Sequence, residues 1–286
     1  MRVWAIALVS GLSVAALAGQ QPADPRDVGA WLLRVGERIE RYYARAQSIV
    51  CEETVRLEPL GADLLPNGDH VRELVYDLRI SWEGGEAADG HAPAASVLRQ
   101  LLTVNGRPPR PGDEPQCLDP KSVSPEPLAM LLPHRQGEYR FAWKSAGCES
   151  GRASITLDYE TARRQPASAV WEGDCGTIDI PTRGRVWLDP GTGDVLRLDE
   201  HAAGQHEVPA PKPKTRGLAP ASFIIERADS SISYRAVTFH DPDETVMLPA
   251  TIVSLQVIRN SGTPRLRKQQ KFTKYRRFIT GGRIVE

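Results

Sequence analysis

The sequence predicts an α+β protein built mainly from antiparallel strands, with an N-terminal amphipathic helix and a short mid-chain helix. Three observations predict this fold class. Apolar residues first recur every three or four positions over residues 28–46, as on one face of a helix. From Ile49 onward they alternate with polar residues, as in half-buried strands. Glycine, proline and asparagine, which favour turns, separate the alternating runs from one another.

The predicted N-terminal helix follows Asp24-Pro25, which is typical of an N-cap and a first helical position. Its apolar stripe needs a surface to cover. The stripe consists of Val28, Trp31, Leu32, Val35, Ile39, Tyr42 and Ala46. A second helix is expected at Leu128 to Leu132, capped by Ser124-Pro125 and ended by Pro133.

The expected strands pair as hairpins wherever turn residues separate two alternating runs. Asn105-Gly106 is one such turn, and residues 189–194, Asp-Pro-Gly-Thr-Gly-Asp, are another. The expected strands cover residues 49–57, 74–82, 97–104, 139–143, 153–159, 185–188, 195–198, 222–227, 233–239, 253–259 and 267–278.

The first twenty residues have the pattern of a secretory signal peptide. Arg2 precedes an apolar run from Val3 to Leu17, which ends in the small-residue triplet Ala16-Leu17-Ala18. The run is shorter than the ~20 apolar residues that span a bilayer, so cleavage is favoured over an uncleaved anchor. We therefore expect a periplasmic or secreted protein with no integral membrane segment after signal cleavage.

Residues 21–286 are expected to form a single α+β domain, with two separate domains as the alternative. A Pro-rich segment at 207–222, which holds Pro209, Pro211, Pro213 and Pro220, is predicted to be a linker or mobile loop. The strands before and after it are expected to belong to one sheet system.

Charge balance argues against nucleic acid as a partner. Lys+Arg and Asp+Glu both number 36, so loss of Arg2 with the signal leaves 35 minus 36, or −1. The C-terminal region nevertheless concentrates seven cations. They are either solvent-facing positions of a strand or a patch for an acidic protein partner or anionic lipid. The seven are Arg265, Arg267, Lys268, Lys271, Lys274, Arg276 and Arg277.

The four cysteines form an even set in a chain that is expected to be exported. No C-x-x-C pair occurs, so disulfides are favoured over metal binding or catalysis. Three pairings are possible. The pairs Cys51–Cys117 and Cys148–Cys175 are favoured, and each would remove loop-closure entropy from the unfolded chain.

No catalytic, phosphate-binding or dinucleotide-binding signature occurs, and no cofactor or metal is expected. His201 and His206 could ligate a transition metal, but a solvated loop is favoured. The carboxylates of Asp241, Asp243 and Glu244 could bind calcium, but a plain turn is favoured. Glu52 and Glu53 are adjacent on a strand, so they point to opposite faces and are interpreted as ordinary strand polarity.

Aromatic side chains provide the candidate binding surface. On a curved sheet facing a helix they could line one concave apolar pocket, or they could fill a core. The set consists of Trp31, Tyr76, Trp82, Phe141, Trp143 and Trp187.

The element order and the hairpin over Arg185 to Leu198 resemble the periplasmic lipoprotein-carrier (LolA-like) family and the related envelope-stress sensor RseB. The run Tyr234 to Phe239, followed by Leu248-Pro249, is similar in style to the closing strands of that superfamily. The resemblance implies a strongly curved half-barrel, lidded by helices, whose concave face binds acyl chains or a lipidated partner.

Three hypotheses therefore remain open. The first is a non-enzymatic protein that binds a lipid, lipoprotein or other apolar ligand, and it predicts an open apolar cavity. The second is an envelope sensor or assembly protein that holds another protein by an exposed strand edge or the basic C-terminal strand. It predicts a filled core. The third is a hydrolase with a polar cleft around His134 or His240.

Overall fold

The computed structural model describes residues 26–45, 49–68, 71–82, 95–113, 126–162, 167–172, 175–210, 220–240 and 243–277. The predicted signal peptide, Asp24-Pro25, Ser124-Pro125 and Cys117 lie outside the described residues. The helices in this part of the chain are α1, Val28–Arg45, and two short 3₁₀ helices, Glu126–Leu131 and Gln136–Glu138.

The strands of the described chain form one long antiparallel sheet and one small hairpin. The order in the sheet is β3-β2-β1-β13-β12-β11-β9-β8-β5-β4, with β10 also paired to β11, and β6 pairs with β7 separately. The strands are β1 Ile49–Pro59, β2 Arg72–Trp82, β3 Ala95–Val104, β4 Tyr139–Glu149, β5 Arg152–Thr161, β6 Ser168–Glu172, β7 Cys175–Asp179, β8 Thr182–Leu188, β9 Val195–Ala202, β10 His206–Pro209, β11 Ser222–His240, β12 Asp243–Arg259 and β13 Arg265–Arg277.

The α+β class and the mostly antiparallel sheet are confirmed, and the sheet is open because β3 and β4 lie at its two ends. Strands before and after the Pro-rich segment belong to this same sheet, since β9 pairs with β11. Within the described residues, none of the helices combines the length and the hydropathy that crossing a bilayer requires.

The first helix begins three residues later than Asp24 implied. The carboxylate of Asp27 accepts a hydrogen bond from the Ala30 backbone N–H at 3.0 Å, which is the contact of an N-cap. The predicted apolar stripe is the buried face of α1. Trp31, Val35, Ile39 and Tyr42 all lie in the main core cluster.

Several boundaries differ from the sequence-based prediction. Residues 207–209 of the predicted loop belong to β10, which pairs with the start of β11. Proline is tolerated there because Pro209 is the last residue of β10, a strand that lies outside the main strand order and pairs with β11. The strands expected at 222–227 and 233–239 form a single strand, β11, because β-bulges at Ile225/Arg227 and Ser233/Tyr234 break the alternation but not the pairing.

Candidate ligand-binding face

One face of the sheet carries a continuous row of apolar residues across five neighbouring strands. Leu157 on β5 pairs with Val186 on β8, which pairs with Leu198 on β9. Leu198 in turn pairs with Ile232 on β11, which pairs with Ile252 on β12. All five are buried in the main core cluster. We call this row the apolar floor.

Helix α1 and the 3₁₀ helix Glu126–Leu131 pack over the apolar floor, and we call them together the cover. Their buried residues, among them Val35 and Leu131, belong to the same core cluster as the floor. Gln136 joins the two parts, because its side-chain amide donates to the carbonyls of both Leu32 and Leu131 at 2.8 Å. Gly36 lets them approach, since a Cβ there would lie 3.0 Å from Pro133 Cγ.

Arginine side chains hold the cover to the turn between β8 and β9. Arg34 donates to the carbonyl oxygens of Pro190, at 2.9 Å, and Gly191. Arg38 forms an ion pair with the buried carboxylate of Asp194. Among the described residues, no backbone hydrogen bond joins α1 to the sheet. The cover is therefore attached by side-chain contacts, whereas the strands are joined by backbone ladders.

A polar row runs beside the apolar floor, two residues further along each strand. Its cross-strand pairs are Tyr159 with Gly184, Gly184 with Glu200, Glu200 with Ser230, Ser230 with Ser254, and Ser254 with Lys268. Because side chains repeat with period two, these residues face the same side as the floor. We call this set the inner polar row.

Cavities open over the inner polar row, whereas the volume left under the cover is small. The cavity beside Ile39 and Tyr42 of α1 measures about 30 Å³. A second cavity measures about 310 Å³. It is lined by Leu198, Ile232 and Ile252 of the apolar floor, by residues of the inner polar row, and by Pro127. It adjoins a cavity of about 900 Å³ walled by residues 178–182, and both share Glu200, Ala228 and Gln256.

Glu200 is the fixed acidic group of this region. Its Oε2 accepts a hydrogen bond from the Tyr159 hydroxyl at 3.3 Å, and the Thr182 side chain also hydrogen-bonds to it. Burial raises the pKa of the Glu200 carboxyl above its ordinary value, although the Thr182 and Tyr159 hydrogen bonds oppose that rise. Burial likewise raises the pKa of the Tyr159 phenol, so the phenol stays protonated and donates.

Gly184 makes the Tyr159–Glu200 contact possible. A Cβ at this position would lie 2.0 Å from the Asp199 carbonyl oxygen and 2.7 Å from the Tyr159 hydroxyl. The phenol ring therefore passes over the bare glycine to reach the β9 carboxylate. This arrangement combines residues from β5, β8 and β9, so no local sequence motif predicts it.

A buried ion pair lies on the same face, nearer to the β3 edge. Glu53 is fully buried, and its carboxylate binds the guanidinium of Arg99 at 2.7 Å and the amide of Gln270 at 2.8 Å. The Arg99 guanidinium also lies 4.7 Å from the centre of the Tyr76 ring. The interpretation of Glu53 as ordinary strand polarity is therefore wrong, because Glu53 is in phase with the apolar positions Cys51 and Val55.

The candidate aromatic residues are not gathered in one place. Trp31 is buried in the main cluster, and Phe141 and Trp143 pack against it half-buried. Tyr76 is buried in a second, smaller cluster with Val55 and Leu74. Trp187 lies on the opposite sheet face from Val186 and Leu188, between the guanidinium groups of Arg185 and Arg197. The side chain of Trp82 lies outside the described residues.

The cysteine thiols of Cys51 and Cys148 are both free in the structure. Neither favoured disulfide is therefore formed there, and Cys117 is outside the described residues. Cys51 is buried on β1, whereas Cys148 is exposed at the end of β4. Burial, followed by the charges of Glu53 and Asp77, raises the pKa of the Cys51 thiol to about 12.

The basic C-terminal residues lie on β13, which is an inner strand between β1 and β12 rather than an edge. Lys274 pairs with Glu52 and Arg267 with Glu58, so neighbouring carboxylates neutralise much of this charge. Lys268 lines the cavity over the inner polar row. The two alternatives for these cations, solvent-facing positions of a strand or a patch for an acidic partner, therefore concern the faces of an inner strand.

His201, His134 and His240 lie at the surface of the described chain, whereas His206 is half-buried on β10 and its Nε2 atom is shielded from solvent. His201 Nδ1 is 3.0 Å from Asp229 Oδ1, and no group of three metal-ligating side chains occurs among the described residues. His240 and Asp243 are 3.5 Å apart and almost fully exposed at the turn between β11 and β12. His134 is also exposed. Asp241 lies outside the described residues.

No family model and no curated protein matches the chain. Several solved structures are similar to this chain. One is a domain described as an outer membrane lipoprotein-sorting protein from Vibrio parahaemolyticus, with 11% identity and a TM-score of 0.43. The match covers 87% of this chain and 92% of that one. A DUF1329 family protein from Desulfovibrio piger has 11% identity and a TM-score of 0.44, with 90% and 95% covered. A LolA superfamily protein from Nitrosomonas europaea has 8% identity and a TM-score of 0.38, with 87% and 94% covered.

Proposed function

We propose that the protein is a non-enzymatic binding protein, acting in the periplasm or outside the cell, that takes a lipid, a lipoprotein acyl chain or another apolar ligand onto the apolar floor. In this proposal the cover moves away and the ligand replaces its contacts. The observation that carries the proposal is the apolar floor itself, which is continuous over five strands and which, among the described residues, is covered by α1 and a 3₁₀ helix.

The contrast between the ladders and the cover supports this function. Each strand of the floor is held by backbone hydrogen bonds on both sides, so the floor is rigid. The cover is held by apolar contacts and by side-chain bonds from Arg34, Arg38 and Gln136. An acyl chain offers the same apolar contacts that α1 makes, so exchanging one for the other costs little hydrophobic free energy.

The cavity of about 30 Å³ beside Ile39 and Tyr42 of α1 is consistent with a ligand-free state in which the cover packs closely on the floor. A protein that kept a large open apolar pocket would expose that surface to water whenever the ligand was absent. A cover that folds onto the floor avoids this exposure. In this proposal the space for the acyl chain forms when the cover moves away, and it joins the cavity of about 310 Å³ that already borders Leu198, Ile232 and Ile252.

Photo-crosslinking with a fatty acid that carries a diazirine near its end tests the proposal. We expect adducts on peptides that contain Leu198, Ile232 or Ile252, and competition by unlabelled fatty acid. The matched variants are Ile252→Thr and Val253→Thr, adjacent positions whose side chains lie on opposite faces, buried and 43% exposed respectively. Ile252→Thr should weaken binding about tenfold, equal to ~1.4 kcal/mol, and Val253→Thr should not. Adducts confined to the outer face would contradict the proposal.

A second candidate, binding of a protein partner, is favoured by the β3 edge. β3 ends the sheet, and Leu98 and Leu102 on it are 62% and 40% exposed. An unpaired edge with apolar side chains can accept a strand from another chain. Leu98→Lys with Leu102→Lys should abolish such binding and leave fatty-acid binding unchanged. Loss of fatty-acid binding in this variant would argue against the edge as a separate site.

A further inference from the structure

The cavity of about 310 Å³ has two chemically different halves, and this division indicates what kind of molecule fits it. Leu198, Ile232 and Ile252 of the apolar floor form one half. Glu200, Ser230, Ser254 and Lys268 of the inner polar row form the other. Pro127, in the 3₁₀ helix of the cover, also lines this cavity. A chain held under the cover would therefore emerge directly over the polar row.

The polar row presents opposite charges at defined positions. Glu200 on β9 and Lys268 on β13 are separated by Ser230 and Ser254, that is, by three strand spacings or ~14 Å of sheet. Both side chains line the cavity. The space between the Glu200 carboxylate and the Lys268 ammonium is suited to a compact headgroup that carries one positive and one negative group.

Two further observations point to a bound polar group. No Lys or Arg of the described chain forms an ion pair with Glu200, whose hydrogen bonds come from Tyr159 and Thr182. The Ser254 hydroxyl oxygen is shielded from solvent and has no hydrogen-bond partner among the described residues. A buried hydroxyl without a hydrogen-bond partner destabilises the folded protein, so a ligand that hydrogen-bonds to Ser254 would remove this free-energy cost.

We propose that the inner polar row is a headgroup site and that the ligand is an amphiphile with a zwitterionic headgroup, whose ammonium binds Glu200 and whose anionic group binds Lys268. Ser230 and Ser254 hydrogen-bond to the atoms between the two charges. The acyl chain lies on the apolar floor. This inference rests on the proposed function and adds the headgroup class.

Two lysophospholipids with the same acyl chain separate the headgroup from the tail. Lysophosphatidylethanolamine carries an ammonium and a phosphate, whereas lysophosphatidylglycerol carries the phosphate alone. We expect the wild-type protein to bind the ethanolamine lipid about tenfold more tightly in calorimetric titrations below the micelle concentration. Glu200→Gln should remove this preference, and Lys268→Met should weaken binding of both lipids. Glu160→Gln, at an exposed carboxylate on β5, should change neither affinity.

Each outcome of these titrations decides a different point. Equal binding of both lipids by the wild-type protein, unaffected by Glu200→Gln, would overturn the headgroup site and leave the acyl-binding function standing. Absence of binding by either lipid would overturn both. A loss of affinity for both lipids in Glu200→Gln would place the effect in the tail site or in folding, and circular dichroism of the variant separates these two.

Discussion

The Nε atom of Arg38 on α1 lies 2.5 Å from Oδ1 of Asp194, which closes the turn between β8 and β9. Asp194 also accepts a hydrogen bond from the Thr192 hydroxyl at 2.7 Å, so its carboxylate is held in place before the arginine binds. This ion pair joins the cover to the sheet, and both of its residues line the small cavity beside Ile39.

Releasing this contact should speed ligand entry. In the double variant Arg34→Gln and Arg38→Gln, α1 keeps its apolar face but loses its polar contacts with the turn, so the cover opens more often. We expect a several-fold faster uptake of a fluorescent fatty acid in stopped-flow measurements. Arg41→Gln is the control, because the hydrogen bond that the Arg41 side chain donates among the described residues goes to the Glu37 carbonyl of its own helix. An unchanged uptake rate would show that the cover does not limit entry.

The two free thiols should differ sharply in reactivity. Cys51 is buried and its pKa is raised to about 12, so at pH ~8 almost none of it is thiolate. Cys148 is exposed at the end of β4. We expect iodoacetamide to label Cys148 in the native protein and Cys51 only in denaturant, as read by peptide mass spectrometry. Native labelling of Cys51 at a comparable rate would mean that β1 opens readily.

The buried pair of Glu53 and Arg99 should matter far more for stability than a surface pair. Glu53→Gln leaves the Arg99 guanidinium in a buried position without its counter-ion, and we expect a loss of ~3 kcal/mol in the free energy of unfolding. Glu160→Gln removes an exposed partner of Arg140 and should cost less than ~1 kcal/mol. Urea unfolding of the two variants measures the contrast, and equal losses would contradict it.

Gly184 should not tolerate even one added methyl group. In Gly184→Ala the new Cβ would meet the Asp199 carbonyl and the Tyr159 phenol, so β8 and β9 must move apart or the ring must leave Glu200. We expect a loss of at least ~2 kcal/mol in urea unfolding. Gly147→Ala on β4 is the matched control, since a Cβ there meets nothing within 4 Å. A cost no larger than that of the control would refute the close packing.

The Glu200 carboxyl should make stability depend on pH in a predictable direction. Burial raises its pKa in the folded protein, so the folded state holds this proton to higher pH than the unfolded chain does. The folded state therefore loses stability as pH rises through the raised pKa. Relative to wild type, Glu200→Gln should gain stability from about pH 4 upward and then level off. A stability difference that stays constant over this range in urea unfolding would contradict the assignment.

Local patterns were enough to predict most elements of the fold. The stripe of Trp31, Val35 and Ile39 predicted the buried face of α1, because a helix repeats every 3.6 residues whatever lies opposite it. The turn over residues 189–194 predicted the β8–β9 hairpin for the same local reason. Strand boundaries were predicted wrongly where local residue preferences disagree with the hydrogen-bond pairing between strands. The strand character of Pro209 and the length of β11 come from their partners, not from their own residues.

The candidate site was harder to predict, although part of its signal was present. Glu53 and Glu200 are each in phase with apolar neighbours on their strands, which marks a polar group on the inner face. The aromatic set, chosen by residue type alone, was dispersed to two clusters and an outer face. Residue type could not locate these side chains, because each one's face depends on strand phase and bulges.

The sequence by itself determined the α+β class, the amphipathic cover helix and the alternation that gives each strand an inner and an outer face. Only the tertiary structure decided that Tyr159, Glu200, Ser254 and Lys268 share one row and that β13 is an inner strand. The physical reason is the range of the interactions. Periodicity and turn dihedrals are set within a few residues. Cross-strand register joins distant residues, such as Ile49 and Arg277 on β1 and β13, and is fixed only when the whole sheet forms its hydrogen-bond ladders.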